Sequence, residues 1–194
     1  MFNTLFHYIS VLLKFSSANT QTTIAEQNAI RKWSVNASVA VEIGVFEGVN
    51  TCIIAKSIAD DGVIYAIDPF LKGRLGFCYG LLITKLGVRR AGLDGKVKLI
   101  EKFSTDAASE IPENIDFIFV DGDHSLKGIS SDWELYSAKV VKGGVIALHD
   151  TQVPEHQSWK STMDSVGYYN RVIQHDERFK KIESIDSLTI LRRI

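Results

Sequence analysis

The sequence predicts a doubly wound α/β domain: a mostly parallel, seven-stranded sheet with helices on both faces and an antiparallel strand near the C-terminus. Three observations point there. Short apolar runs alternate with helical segments along most of the chain, the order expected of a parallel sheet. The runs Ile115–Val120 and Val145–Leu148 are apolar throughout, which suits strands buried on both faces. Phe179–Ser184 and Ser187–Arg192, joined by the tight Ile185–Asp186 turn, read as a closing strand pair at the sheet edge.

The elements follow in order. Phe2–Leu13 is strongly apolar and reads as a helix. It is shorter than the roughly 20 residues a membrane span needs. It also has no leading basic residue and no small-residue cleavage site, so it is a poor signal peptide. Packing on the domain or on a second subunit is expected, with peripheral membrane attachment as the alternative. Ala25–Trp33 is a helix and Ser38–Ile43 the first strand. The Gly44–Gly48 loop leads into a helix over Gly48–Ile58. Val63–Ile67 is a strand closed by Asp68-Pro69, and Arg74–Arg90 a helix interrupted by loops. Val97–Glu101 is a strand, Thr105–Glu110 a short helix and Ile115–Val120 the central strand. Ser125 caps a helix over Gly128–Val140. Gly144–Leu148 is a strand, and Ser158–Ile173 a helix before the closing pair.

A chain of 194 residues with 45% hydrophobic content carries one full-sized core. Residues 1–34 are expected to be a helical segment that caps the domain or makes an oligomer contact, as in a homodimer; residues 35–194 are expected to form the cofactor-binding domain. A net charge of −1 gives no general reason to expect nucleic acid or an anionic membrane as partner. Cys52 and Cys78 are too few for a disulfide framework, so a reduced, cytoplasmic setting is expected.

Two places carry chemistry. Asp121, Asp123 and His124 follow the central strand, and His149 and Asp150 follow the next one. If those strands are neighbours, their C-terminal ends meet where open α/β sheets place ligands. Such a cluster can hold a divalent metal and move a proton. The other place is the loop after the first strand, Val41-Glu42-Ile43-Gly44-Val45-Phe46-Glu47-Gly48. Its glycines are spaced G-x-x-x-G, and Phe46 stands where a dinucleotide's pyrophosphate would need close backbone approach. The loop therefore favours a cofactor without a pyrophosphate. Glu42 could accept from a charged amino group. Asp68 stands 20 residues after Gly48, where an acid takes both ribose hydroxyls.

With VEIGVFEGVNT, YAIDPF, IDFIFVDGDHSLKGISSD and KGGVIALHDT in order between Val41 and Thr151, the chain resembles the class I S-adenosylmethionine-dependent methyltransferases. Within them it is most similar to the small metal-dependent O-methyltransferases, of catechol type or acting on sugars of natural products. The resemblance implies a Rossmann-like fold and O-methyl transfer to a small molecule, a sugar or a phenolic. It implies that Glu42, Gly44, Phe46 and Gly48, with Asn50 or Thr51, hold the methionine part of the cofactor. Asp68 would bind the ribose, Ser104 would lie near the adenine and Asp121 near the methyl donor. Asp121 and Asp150 would be metal ligands for magnesium or manganese. His124 falls where relatives place the base, and Asp123 is either an alternative base, a partner of His124 or a turn residue.

The chain departs from the pattern at His149 and Thr151, where relatives carry a second acid before Asp150 or an asparagine after it. Imidazole suits manganese, iron or zinc better than magnesium. Either His149 ligates a softer metal, or it acts in proton transfer, or Thr151 completes the site. An NAD(P)-dependent oxidoreductase and an inactive cofactor-binding module are the competing readings. Hydrolysis through Ser125 is disfavoured, because adjacent residues rarely face each other. Lys72, Arg74, Lys85, Arg89 and Arg90 either contact an anionic acceptor or form a solvated face. Tyr79, Trp133 and Trp159 shape the acceptor pocket or pack in the core. His7 is structural; His156 and His175 are surface residues.

Overall fold

The computed structural model describes residues 2–73 and 76–194, with Phe2 and Asn3 as backbone alone. The strands are β1 (Val39–Ile43), β2 (Val63–Ile67), β3 (Val97–Ile100), β4 (Ile115–Val120), β5 (Val140–Leu148), β6 (Phe179–Ile185) and β7 (Leu188–Arg193). The helices are α1 (Phe2–Leu12), α2 (Ile24–Ser34), α3 (Val49–Ser57), α4 (Tyr79–Arg90), α5 (Ser104–Ala107), α6 (Leu126–Tyr136) and α7 (Asp164–Arg171). The sheet order is β3-β2-β1-β4-β5-β7-β6. All neighbours from β3 to β5 pair in parallel, and β7 runs antiparallel between β5 and β6. The predicted fold class holds, including the antiparallel strand.

Strand periodicity explains the two-faced core. Ile118 and Val120 of β4 join Val41, Ile43, Ile146 and Leu148 beneath α6 and α7. The intervening Phe117 and Phe119 join Ala40, Ile64 and Ala147 beneath α2 and α3. Burying each such phenylalanine contributes roughly 1.5–3 kcal/mol.

Register sets the site. Ile67, Ile43, Val120 and Leu148 are paired across β2, β1, β4 and β5. The next residue on each strand is therefore Asp68, Gly44, Asp121 or His149. The chain order reverses between β1 and β4, and open α/β sheets bind ligands at that switch.

Ala29 and Ile30 of α2 lie inside the core. Three expectations are corrected. Ser158–Ile173 is not one helix. A 3₁₀ segment, Glu155–Thr162, precedes α7, with Gln157 outside helical geometry; burial of Lys160 against Asp150 draws this segment inward. The helix expected over Arg74–Arg90 starts at Tyr79, and Arg74 lies outside the described residues. Arg90 does not face an acceptor: its guanidinium donates to the carbonyls of Val11 and Leu12, capping the end of α1. Lys85 pairs with Glu101, and Trp133 packs on Phe179 inside the core. Tyr79 rests on Tyr8 of α1, whereas Trp159 is exposed. Among the described residues, no helix is long and apolar enough to cross a membrane.

Candidate functional site

The Gly44–Gly48 loop is held by backbone geometry. Gly44 has φ +87°, and a Cβ there would lie 2.0 Å from the Asp121 carbonyl oxygen. Only glycine lets β1 and β4 close this tightly. The loop is also tied to the second strand's acid. One Asp68 carboxylate oxygen accepts from the amides of Val45 (3.0 Å) and Phe46 (3.2 Å), and the other from Phe70 (2.7 Å). Asp68 therefore shapes the loop as well as lining the cavity beside it. A carboxylate has about four lone-pair sites, which leaves capacity for a ligand hydroxyl.

That cavity, about 300 Å³, is walled by Gly44, Val45, Phe46, Val49, Asp68, Asp121 and His124. It shares Gly44, Asp68, Asp121 and Gly122 with a second hollow of about 340 Å³ that reaches Phe103 and Ser104. Together they form a trough from Ser104 at one end, past Asp68, to His124 at the other. Sequence reasoning missed its roof, Asn19, Thr20 and Gln21 from the linker between α1 and α2. Asn19 is anchored through its side-chain and backbone amides on the Glu47 carboxylate, which also meets His7 at 3.0 Å. Thr22 donates to Asn50 at 3.1 Å.

The structure does not bring every expected cofactor residue to the trough. Asn50 lines it, but Glu42 and Thr51 are fully buried. Glu42 shares the β1 face that turns under α3, where the Thr51 hydroxyl donates to it at 2.5 Å. Among the described residues, its other oxygen has no hydrogen-bond partner. Burial, with Asp121 and Asp68 nearby, raises the Glu42 pKa to about 8. Ser104 is at the trough's far end and donates to Asp132 at 2.5 Å. Burial raises Asp132 to about 6 despite that bond.

At the opposite end the charged residues converge. Asp150 has φ +52°, a left-handed conformation that aspartate tolerates better than most residues. The turn brings neighbouring His149 and Asp150 to one side. The His149 Nδ1 lies 2.9 Å from Asp121 and 3.6 Å from Asp150, and Nε2 faces Glu26 at 3.5 Å. Burial opposes a charge on His149, but Asp121 and Glu26, reinforced by Asp150, raise its pKa to about 10. Burial also opposes charge on Glu26, but His149, Thr23 and Ser187 outweigh it and hold the pKa at about 2. Lys160 forms a buried ion pair with Asp150. His124, partly exposed, faces Asp121 at 3.5 Å and Asp150 at 3.7 Å. Asp123 turns away: both its oxygens accept from Ser125, from the amide (2.9 Å) and the hydroxyl (2.8 Å). It serves as a turn residue at the start of α6.

The expected metal set, Asp121, His149 and Asp150, does not fit a divalent ion as it stands. Among the described residues, no group of three or more His, Cys, Asp or Glu side chains is disposed to hold one. The His149 Nδ1 that stands beside Asp121 and Asp150 is engaged by Asp121 at 2.9 Å, and its Nε2 points away toward Glu26. An ammonium already neutralises Asp150. Thr151 does not complete the set either; its hydroxyl is buried against Leu148 and Thr189.

Comparison with known proteins supplies the last observation. The sequence model of a family described as "Methyltransferase domain" matches residues 41–151. Tapetum-specific methyltransferase 1 of Arabidopsis thaliana is 27% identical over 181 residues, covering 82% of this chain and 71% of that protein. Caffeoyl-CoA O-methyltransferase of Populus kitakamiensis is 27% identical over 184 residues, covering 82% and 72%. The fold superposes on the O-methyltransferase from Bacillus cereus, solved in complex with SAH. The TM-score is 0.68 at 17% identity, covering 99% of this chain and 90% of that one.

Proposed function

The chain belongs to the methyltransferase-domain family, and on that premise we propose that it moves a methyl group from S-adenosylmethionine to a hydroxyl oxygen, with His124 as general base. The observation that carries this reading is the trough itself. It offers a ribose-binding acid at Asp68, a polar end at Ser104, and at the other end a histidine backed by two carboxylates. The relatives' names favour a small-molecule hydroxyl acceptor.

The cofactor would lie with adenine toward Ser104, ribose at Asp68 and methionine along Gly44–Gly48. The donor sulfur would stand near Asp121, whose charge complements a sulfonium. The acceptor hydroxyl would enter beside His124. Its proton passes to the imidazole as the oxygen attacks the methyl carbon. The carbon–sulfur electron pair stays on sulfur, leaving the neutral thioether. Asp121 and Asp150 stabilise the imidazolium that forms. Holding donor and acceptor in line supplies much of the remaining rate. A divalent ion of the kind the resemblance implies would polarise the acceptor oxygen when bound, but no step here is assigned to one. A dinucleotide is disfavoured because Phe46 remains where its pyrophosphate would approach.

Calorimetric titration of S-adenosylhomocysteine tests the reading. Micromolar binding is expected for the wild type. Asp68→Ala should weaken it about tenfold or more, since a charged hydrogen-bond acceptor and the loop's tether are lost together. No binding by the wild type would sink the proposal.

A further inference from the structure

Three buried carboxylates surround the methyl-transfer end of the trough: Glu26 is 1% exposed, Asp150 6%, and the Asp121 side chain 14%. Left unpaired, such a cluster is costly to bury. One divalent ion is the solution the resemblance implies. The other is two side-chain cations. We propose that this chain uses the second solution: His149 and Lys160 replace the divalent ion, and the enzyme works without one.

The geometry supports the replacement from several directions. His149 stands between two carboxylates: Nδ1 is hydrogen-bonded to Asp121 at 2.9 Å, and Nε2 faces Glu26 at 3.5 Å without a hydrogen bond among the described residues. Glu26 is not free to swing away. One oxygen accepts from the Thr23 amide in the capping box of α2, the other from the amide and hydroxyl of Ser187. The imidazole is thus held between two fixed anions. Lys160 is as buried as its partner Asp150, and its ammonium occupies an oxygen that a metal would need. His124 then faces two carboxylates that are already paired and fixed in place. That is enough to orient a base without a Lewis acid. Each cation comes from a different element, His149 from the end of β5 and Lys160 from the 3₁₀ segment before α7.

This inference rests on the methyl-transfer reading for its meaning, but its test does not need turnover. Mn²⁺ binding is followed by electron paramagnetic resonance on wild type and Lys160→Met, and melting temperature is recorded with and without Mn²⁺. The wild type should show no saturable binding and no metal-dependent rise in Tm. Lys160→Met frees Asp150 and should bind Mn²⁺ at least about tenfold more tightly than wild type, with a rise in Tm. Lys160→Arg keeps the charge and should behave as wild type; Lys160→Gln serves if the methionine variant does not fold. Stoichiometric Mn²⁺ binding by the wild type, lost in Asp121→Asn, would overturn the inference. So would a lysine variant that folds yet gains no affinity, since Lys160 would then not be what occupies the site. Under EDTA, S-adenosylhomocysteine should bind the wild type unchanged. Failure to bind it with or without metal would strike the methyltransferase reading and leave the Mn²⁺ result standing by itself.

Discussion

The two ends of the trough are built from different materials. The end that would hold the cofactor is mostly backbone: Gly44 and Gly48 at positive φ, with amides of Val45, Phe46 and Phe70 gathered on Asp68. The end that would hold the acceptor is mostly charge. Glu26, Asp121, His124, His149, Asp150 and Lys160 come from four stretches of chain and meet within a few ångströms. The first end depends on local geometry that a short motif can encode. The second depends on mutual neutralisation, so no member is stable without the others. The two ends should therefore fail differently when mutated.

The largest effect should come from breaking the charge balance. Glu26→Ala leaves His149 with one anion fewer and frees the Ser187 amide. Removing one partner of a buried pair costs about 3–5 kcal/mol, read as a loss of unfolding free energy in urea at neutral pH. A loss below about 1 kcal/mol would mean that Glu26 is only a helix cap. His124→Ala should separate the ends more cleanly. Turnover should fall ~10²–10⁴-fold, the usual contribution of a general base, while S-adenosylhomocysteine affinity stays near wild type. If affinity fell as far as turnover, His124 would belong to cofactor binding, and the division between the ends would be wrong.

The same contrast explains what could be read from the sequence. Gly44, Asp68, Asp121 and His149 each follow directly on an apolar strand, with Asp150 next after His149, so strand order alone brings them together. Glu26 and Lys160 carry no such mark. Thr23 and Glu26 have capping-box spacing, and that spacing accounts for the glutamate without hinting at His149, 123 positions later in the chain. Lys160 sits in a stretch with helical patterning whose actual path is set by Asp150. Asp123 admits three roles from sequence, and its hydrogen bonds from Ser125 favour the turn. The roof, Asn19 to Gln21, lies in a polar linker that carries no motif. Glu42 is the instructive case, because its motif suggested a ligand contact while strand periodicity argued otherwise. Val41 and Ile43 face α6, so Ala40 and Glu42 must face α2 and α3.

Glu42 also provides the smallest and most specific test, at the boundary between the two ends. Its carboxyl is fully buried, hydrogen-bonded through one oxygen, with a pKa raised to about 8. The sign follows from proton binding. Between the ordinary glutamate range near 4.5 and about 8, the native state keeps a proton that the unfolded chain has lost. Stability must then fall as pH rises through that window. The limiting slope is about 1.4 kcal/mol per pH unit for one group. Glu42→Gln stays neutral, so its stability should decline less steeply over the same window. The two curves should run parallel again above pH 8. At the acid edge the variant should be no more stable than wild type, because its amide brings an N–H that finds no partner under α3. Chemical denaturation at half-unit pH steps would read the difference. Parallel curves from pH 4.5 to 8 would show that Glu42 ionises normally. In that case the carboxylate is stabilised by a group other than Thr51, and the buried acid beneath the glycine loop would have a role in binding after all.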